Sequence, residues 1–290
     1  MIENLTTRYP DQSVKTLLHE GIQKLQNSIS ARLDAELLLC RVLQIDRSQI
    51  YSGFGCDISA DKILEFRSLL DRRKEGCPIA YLVGQKEFWS LELYVNEHTL
   101  VPRPETECLV ETVLTYVPNN AAYSIVDLGT GNGAIALALA SELPTCKITA
   151  IDVCTHALAV ARLNAKHHDF TQIRFKQGNW FTGLKETFDI IVSNPPYIRS
   201  RDEALILGEL AHEPVLALDG GRDGLDAIRK IINRSASHLN PGGRIFIEHG
   251  FDQGGQVQEL LKLHGYTSVN TIPDYSGLER VTFGQFNRKQ

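Results

Sequence analysis

No apolar run in this sequence approaches the roughly 18 residues that a membrane-spanning helix needs, so none is expected. Met1 to Pro10 lacks the basic start and apolar centre of a signal peptide, and a cytoplasmic location follows as the expectation. C-x-x-C pairs are missing: the six cysteines stand singly at positions 40, 56, 77, 108, 146 and 154, with no histidine at ligand spacing beside them. They read as small buried or half-buried thiols of a reducing compartment, and no metal site is expected. A strong charge of one sign is lacking too. Residues 1–85 carry 11 basic and 11 acidic side chains, residues 86–290 carry 19 and 24, and the net charge is −5. Neither part has the basic excess that neutralises many phosphates, which disfavours stable nucleic-acid binding. The cluster Arg72-Arg73-Lys74 reads as a solvated helix face. Internal repeats and low-complexity segments are absent.

What is present is globular: 43% hydrophobic and 22% charged residues in 290, enough for a large domain and a small one. Residues 1–84 read as a small helical bundle. Val14, Leu17, Leu18, Ile22 and Leu25 recur at spacings of three and four, the mark of one buried helix face. Ser30 is placed to cap a second helix through Leu33, Leu37, Leu38 and Leu43, and Ser59 a third through Ile63, Phe66, Leu69 and Leu70. Tyr51–Gly55 reads as a turn between them. Residues 85–100 read as a β-hairpin linker, with Leu91, Leu93 and Val95 alternating before Asn96–His98 interrupts.

Residues 101–290 alternate strands and helices. Strands are expected over Ser124–Leu128, Lys147–Ile151, Ile173–Lys176, Phe188–Val192 and Gly243–Ile247, with a last pair near Ser268–Ile272 and Arg280–Phe286. Helices are expected over Ala134–Leu143, Ala157–Ala165 and Leu225–Leu239. Such alternation predicts an α/β fold with a parallel, doubly wound, Rossmann-like sheet covered by helices on both faces.

Sheets of this kind bind ligands beyond the C-terminal ends of their strands. The first strand ends in Asp127-Leu128-Gly129-Thr130-Gly131-Asn132-Gly133, whose alternate glycines let the backbone turn sharply and approach a ligand. The second ends in Asp152, an acid able to accept from both hydroxyls of a ribose. This pattern alone fits a nicotinamide enzyme and a methyltransferase about equally. Asp127 favours the second, since a carboxylate there suits a cationic sulfonium and repels a pyrophosphate. After the third strand, Gly178-Asn179-Trp180-Phe181 stands where an adenine would lie, with Trp180 to cover the ring and Asn179 to bond its edge.

The fourth strand stops at Asn194-Pro195-Pro196-Tyr197. Two prolines end a ladder wherever they stand, but these stand at the same sheet edge as the glycine loop. An amide or arylamine nitrogen shares its lone pair with a π system and attacks carbon poorly. The Asn194 side-chain carbonyl and the Pro195 backbone carbonyl supply two acceptors that hold its N–H hydrogens, aim it at a methyl carbon and favour the charge that develops. The prolines fix that carbonyl, and Tyr197 offers a flat face to the planar group. Orientation of this sort contributes on the order of 7–11 kcal/mol. Glu248, His249 and His167-His168 read as structural.

With these residues the chain resembles, over nearly its full length, the peptide-chain release factor glutamine methyltransferases (the PrmC/HemK family). The resemblance is carried by Val101-Pro102-Arg103-Pro104-Glu105-Thr106-Glu107, Asp127 to Gly133, Asp152, Asn194 to Tyr197, Glu213-Pro214 with Ala217-Leu218, Asp223-Gly224-Leu225, and Glu248-His249-Gly250. It implies a class I S-adenosylmethionine-dependent enzyme that methylates N5 of the glutamine in the Gly-Gly-Gln motif of class 1 release factors. It implies further that Asp127, Gly129, Thr130, Gly131, Asn132, Gly133, Asp152, Asn179, Trp180 and Asn194 bind S-adenosylmethionine. Asn194, Pro195, Pro196 and Tyr197 would hold the glutamine, with Arg103 and Glu105 of the Pro102–Glu107 loop at the substrate mouth and the N-terminal domain gripping the release factor. Asn179 departs from the family, whose members often carry Asp there, but keeps an acceptor oxygen.

Three other functions compete. A sister enzyme methylating a glutamine of a ribosomal protein shares Asn-Pro-Pro-Tyr but differs in the upstream loop. A methyltransferase acting on adenine N6 or guanine N2 uses the same planar-nitrogen logic and needs a basic surface, which is lacking. A non-catalytic binding module is opposed by intact Asp127, Asp152 and Asn194. A monomer is expected, since no segment reads as an unpaired apolar edge.

Overall fold

The computed structural model describes residues 13–52, 58–118 and 120–287, so Met1–Pro10, Cys56 and the 53–55 part of the expected turn lie outside the described residues. The chain divides into two units, Met1–Val83 and Gly84–Gln290, and the hairpin belongs to the second.

The first unit is helical: α1 (Val14–Lys24), α2 (Ala31–Leu43), α3 (Arg47–Tyr51), α4 (Ala60–Lys74) and α5 (Ile79–Val83). Ser13 caps α1 by accepting from the Thr16 N–H at 3.3 Å. Ser30 stands at the start of α2, but its hydroxyl donates to Asp34 at 2.9 Å and caps no backbone group. The buried face of α2 also differs from the expected one. Leu33 is exposed, while Ala35, Leu38, Leu39 and Val42 enter the core with Phe66 and Leu70. The reason is that α2 packs against α1, α4 and α5, which demands a wider apolar arc than one heptad stripe. Two acids go inside with it. Asp34 meets Arg73 at 2.7 Å, so Arg73 turns inward and only its neighbours Arg72 and Lys74 form the solvated face. Glu36 meets Arg47 at 2.6 Å and Arg32 at 3.1 Å, and also accepts from the Tyr51 hydroxyl.

The second unit begins with a hairpin, β1 (Gln85–Phe88) and β2 (Leu91–Tyr94). Its turn is at Trp89–Ser90, both left-handed with φ +52° and +58°, and not at Asn96–His98, which starts a separate turn closed from Thr99 N to Asn96 O at 3.0 Å. Asn-Gly is the usual signal for such a turn. Here tertiary bonds hold it: Trp89 N donates to Glu107 at 2.9 Å and its indole to Glu142 at 2.8 Å.

A 3₁₀ turn at Pro104–Thr106 leads into α6 (Glu107–Leu114). Then follow β3 (Ser124–Leu128), α7 (Ala134–Glu142), β4 (Lys147–Asp152), α8 (Thr155–His167), β5 (Ile173–Gln177) and β6 (Phe188–Ser193). Next come α9 (Val215–Leu218), α10 (Asp226–Ser235), β7 (Leu239–Glu248), α11 (Gly254–Leu263), β8 (Tyr266–Pro273) and β9 (Glu279–Phe286). The sheet order is β5-β4-β3-β6-β7-β9-β8. All strands are parallel except β9, which runs against both neighbours. A turn at Asp274–Leu278 joins β8 to β9, and a link that short permits only antiparallel pairing.

Alternate strand residues feed two cores, as a period of two requires. Ile125, Ile190, Val192 and Phe246 face α6 and α7. Val126, Ile191, Ile245 and Ile247 face α10 and α11, where Ile228, Ile231 and Ile232 form one stripe. Helix α10 stops at Ser235, short of the expected Leu239, and β7 already starts there. Between the pairs Phe188↔Leu239 and Ile190↔Arg244 the Pro-Gly-Gly segment bulges out of register, because Pro241 offers no N–H and Gly242 takes φ +81°. Among the described residues no helix is long and apolar enough to cross a membrane.

Candidate functional site

Strands β3 and β6 lie side by side with Leu128 opposite Ser193, and the Ser193 hydroxyl donates to the Leu128 carbonyl at 2.7 Å. The chain winds from β3 through β4 to β5 in one direction and through β6 to β7 in the other, so strand order reverses between β3 and β6. Ligands bind at such a point. Just beyond it opens a cavity of about 450 Å³, walled by Gly129, Gly131, Asp152, Asn179, Trp180, Asn194 and Pro196. That volume suits a small molecule. Leu100, Leu216 and Lys230 also reach it, none of them singled out from the sequence, together with Ala217 of the Ala217-Leu218 pair.

The glycine loop is built to bring backbone to this cavity. Gly129 N and Thr130 N both donate to the Ile151 carbonyl, at 2.8 and 2.9 Å, tying the loop to β4. Gly129 has φ +76°, and a Cβ there would stand 3.3 Å from the Trp180 ring. Gly133 has φ +89°, and a Cβ would collide with Leu137. Asp152 accepts from Gly131 N at 2.9 Å through one carboxylate oxygen and from Cys154 N at 2.8 Å through the other. Each oxygen keeps a lone pair for a ligand, and burial raises the pKa of this group.

Asp127 lies beneath the loop, fully buried, and does not form the cavity wall. Its Oδ2 accepts from the Thr130 hydroxyl at 2.6 Å, and its Oδ1 has no partner. Burial pushes its pKa up to about 7, against the Thr130 bond and helped by the charge of Asp152. Asn132 is buried in the same loop, accepting from Ala134 N at 3.2 Å with its amide nitrogen unpartnered. Two unsatisfied polar atoms under a glycine cradle fit a site completed by a polar ligand. Trp180, left-handed at φ +52°, is half-buried over Gly129, and Asn179 is exposed on the wall.

Asn194-Pro195-Pro196-Tyr197 leaves β6 with Asn194 and Pro196 at the cavity, Pro195 buried, and Tyr197 packed into the core on the α10 side. Tyr197 is half-buried and is not among the residues that line the cavity. Its hydroxyl donates to Glu248 at 3.3 Å, and its carbonyl accepts from Gln253 at 3.0 Å. Gly220 clasps the same turn: a Cβ there would stand 2.8 Å from the Pro196 carbonyl and the Tyr197 Cα. The Asn194 amide nitrogen donates to the Thr106 hydroxyl at 3.1 Å. Glu248, fully buried at the end of β7, is pushed up to about 7 by desolvation, against the charge of Arg280 and the Tyr197 bond, and its Oε2 has no hydrogen-bond partner.

Arg103 and Glu105 do not reach the cavity wall. Arg103 pairs with buried Glu213, which also accepts from Val101 N at 2.9 Å, and Glu105 is exposed. Sequence reading missed Thr106 and Gln253 as members of this network, and Glu213 as the clamp on the loop. Thr106 and Glu213 stand in segments that carry the family resemblance, but their partners are distant in the chain, and Gln253 left no signal at all.

Comparison with known proteins adds the family. A family model described as methyltransferase small domain matches residues 105–221, and one described as PrmC N-terminal domain matches residues 16–84. A release factor glutamine methyltransferase of Salmonella typhimurium is 45% identical over 270 residues, which cover 93% of this chain and 97% of that one. One of Aliivibrio fischeri is 44% identical over 278 residues, covering 94% and 98%. Among solved structures, a methyltransferase from Pyrococcus furiosus shares the fold, with a TM-score of 0.52 and 22% identity over 68% of this chain and 89% of its own.

Proposed function

The chain belongs to the release factor glutamine methyltransferase family, and from that premise we propose that it methylates N5 of the Gly-Gly-Gln glutamine in class 1 release factors, using S-adenosylmethionine. The observation that carries this reading is the state of Asn194. Its amide nitrogen is spent on Thr106, so its carbonyl oxygen is the end left for a ligand, at a cavity that the glycine loop and Asp152 also line.

The cofactor supplies an electrophilic methyl group on a sulfonium. Asp152 accepts from the ribose hydroxyls, Trp180 covers the adenine, and the Gly129–Gly133 loop admits the amino-acid end by keeping side chains out of the way. Asp127 would act from below the loop, its carboxylate favouring a cation bound in the cavity. Asn194 Oδ1 and the Pro195 carbonyl accept the two N–H hydrogens of the glutamine amide and aim its nitrogen along the axis of displacement. Both acceptors strengthen as positive charge develops on that nitrogen, which is differential stabilisation of the transition state. The nitrogen then sheds a proton readily, since an N-protonated amide is a strong acid. Tyr197 steadies the turn through Glu248. Arg103, fixed by Glu213, shapes the Pro102–Glu107 loop toward the release factor, and the helical unit contributes the remaining grip.

The test is transfer of labelled methyl from S-adenosylmethionine to a purified class 1 release factor, beside the same factor with its Gly-Gly-Gln glutamine changed to alanine. Label confined to the intact factor, and lost with Asn194→Ala enzyme, is the expected result. Equal labelling of both factors, or of neither while cofactor still binds, refutes it.

A further inference from the structure

We propose that Gln253 is a positioning residue for methyl transfer: it pins the Tyr197 carbonyl and, through the proline turn, fixes where Asn194 and the Pro195 carbonyl stand. The inference rests on the functional reading above and adds to it the device that holds the two acceptors in place.

Pro195 and Pro196 carry no backbone N–H, so the turn between them is held chiefly through its carbonyls and through what packs on it. The same prolines lock two of its φ angles, and a donor that fixes one end therefore restrains the whole segment. At one end, Asn194 Nδ2 donates to the Thr106 hydroxyl at 3.1 Å. At the other, Gln253 Nε2 donates to the Tyr197 carbonyl at 3.0 Å. The Pro195 carbonyl lies between these two points in the chain and is restrained from both sides.

Gln253 is itself firmly anchored. It is buried at the start of α11 and does not line the cavity. Its N–H donates to the Gly250 carbonyl at 2.9 Å, and its own carbonyl accepts from Val257 N at 3.0 Å. Its side-chain Oε1 accepts from Gly250 N at 2.9 Å. A backbone N–H only donates, so this bond fixes which end of the carboxamide is oxygen and leaves the NH₂ to face Tyr197. The same nitrogen reaches the Asp223 carbonyl at 3.5 Å. Gly224 makes room for the meeting: it takes φ +81°, and a Cβ there would collide with both the Tyr197 carbonyl and Gln253 Nε2. One carboxamide thus joins the turn after β6, the loop before α10 and the end of β7. Starting α11 requires only the bonds to Gly250 and Val257; the donor toward Tyr197 serves the turn.

The experiment uses the full chain as Gln253→Met and Gln253→Glu. Methionine keeps the length of the side chain and loses both ends of the bridge. Glutamate keeps the acceptor for Gly250 N but, ionised at about pH 9, has no proton to give Tyr197. Both variants should lower kcat about 10–100-fold, the scale for a small misplacement of reacting groups. The S-adenosylmethionine Kd should stay within about twofold and the release-factor KM within about threefold, because Gln253 touches neither ligand. Rates are taken well below the Tm of each variant, so that lost stability does not count as lost rate. Wild-type kcat in either folded variant, or a loss confined to KM, overturns the proposal. A second readout needs no acceptor protein: the ¹⁵N signals of the Asn194 side chain, identified by their absence in Asn194→Ala. They should move in both variants, because releasing Tyr197 lets the turn shift; a glutamine that served α11 alone would leave them in place. Unmoved signals overturn the proposal even where wild-type enzyme labels no release factor, the result that would sink only the functional reading. Gln253→Glu preserves shape and decides the matter should Gln253→Met fail to fold.

Discussion

Asn164 and Tyr94 exchange a reciprocal pair of hydrogen bonds: Tyr94 N donates to Asn164 Oδ1 at 2.7 Å, and Asn164 Nδ2 donates to the Tyr94 carbonyl at 3.0 Å. The same nitrogen donates to the Asn132 carbonyl at 2.9 Å. One fully buried carboxamide on α8 thus fastens the hairpin to the glycine loop. Asn164→Leu fills the volume but leaves a backbone N–H and two carbonyls buried without partners. The expected loss is about 2–4 kcal/mol of stability, with weaker S-adenosylmethionine binding because the loop is released. Denaturant unfolding and calorimetric titration check both; a variant as stable as wild type would show that the contact is dispensable.

Asp152 is the one carboxylate on the cavity wall that the glycine loop itself engages. Asp152→Ala removes charge-assisted bonds to the ribose, each contributing roughly 1.5–3 kcal/mol. The S-adenosylmethionine Kd should rise about 10–100-fold, while thermal stability without cofactor changes little. Unaltered affinity would move the ribose elsewhere.

Asp127 and Glu248 are both raised to about 7 by burial. Between their ordinary values and pH 7 the folded chain therefore binds more protons at these groups than the unfolded chain does. Their contribution to stability is complete below about pH 4, declines as pH rises to about 7, and is level above. Buried His249, whose pKa is lowered from 6.5, acts with the opposite sign in the acidic part of that range. Single variants isolate the carboxyls from it. Asp127→Asn, neutral throughout, should close the gap to wild type, or widen its advantage, as pH rises from 5 to 7.5. Parallel stability curves would contradict the raised pKa.

Arg73 and Asp34 form an ion pair at 2.7 Å with both side chains largely buried. Arg73→Met strands an acid inside the helical unit, and the expected cost is about 3–5 kcal/mol. Unfolding should begin in residues 13–83, seen as early loss of amide protection there. Restoration by Asp34→Asn in the same chain would identify the unpaired charge as the cause. No recovery would assign the loss to Arg73 packing.

The sequence by itself determined the alternation of strands and helices from β3 to β7, though not helix α11, and the two loops that meet at the cavity. These are local properties: side chains recur every two residues on a strand and every three or four on a helix, glycine admits the left-handed turn, and proline ends a ladder. The glycine loop and Asn194-Pro195-Pro196-Tyr197 were legible because each directly follows a strand of the same sheet. Tertiary structure alone decided what surrounds them. Asn194 meets Thr106 across 88 residues, and Asn164 meets Tyr94 across 70. Trp89 and Ser90 turn a hairpin against their own preference because Glu107 and Glu142 hold the tryptophan. Arg73, one of three adjacent cations, goes inside because Asp34 awaits it. Such choices turn on partners distant in the chain, and burial, which makes each polar pairing obligatory, exists only once the chain has folded.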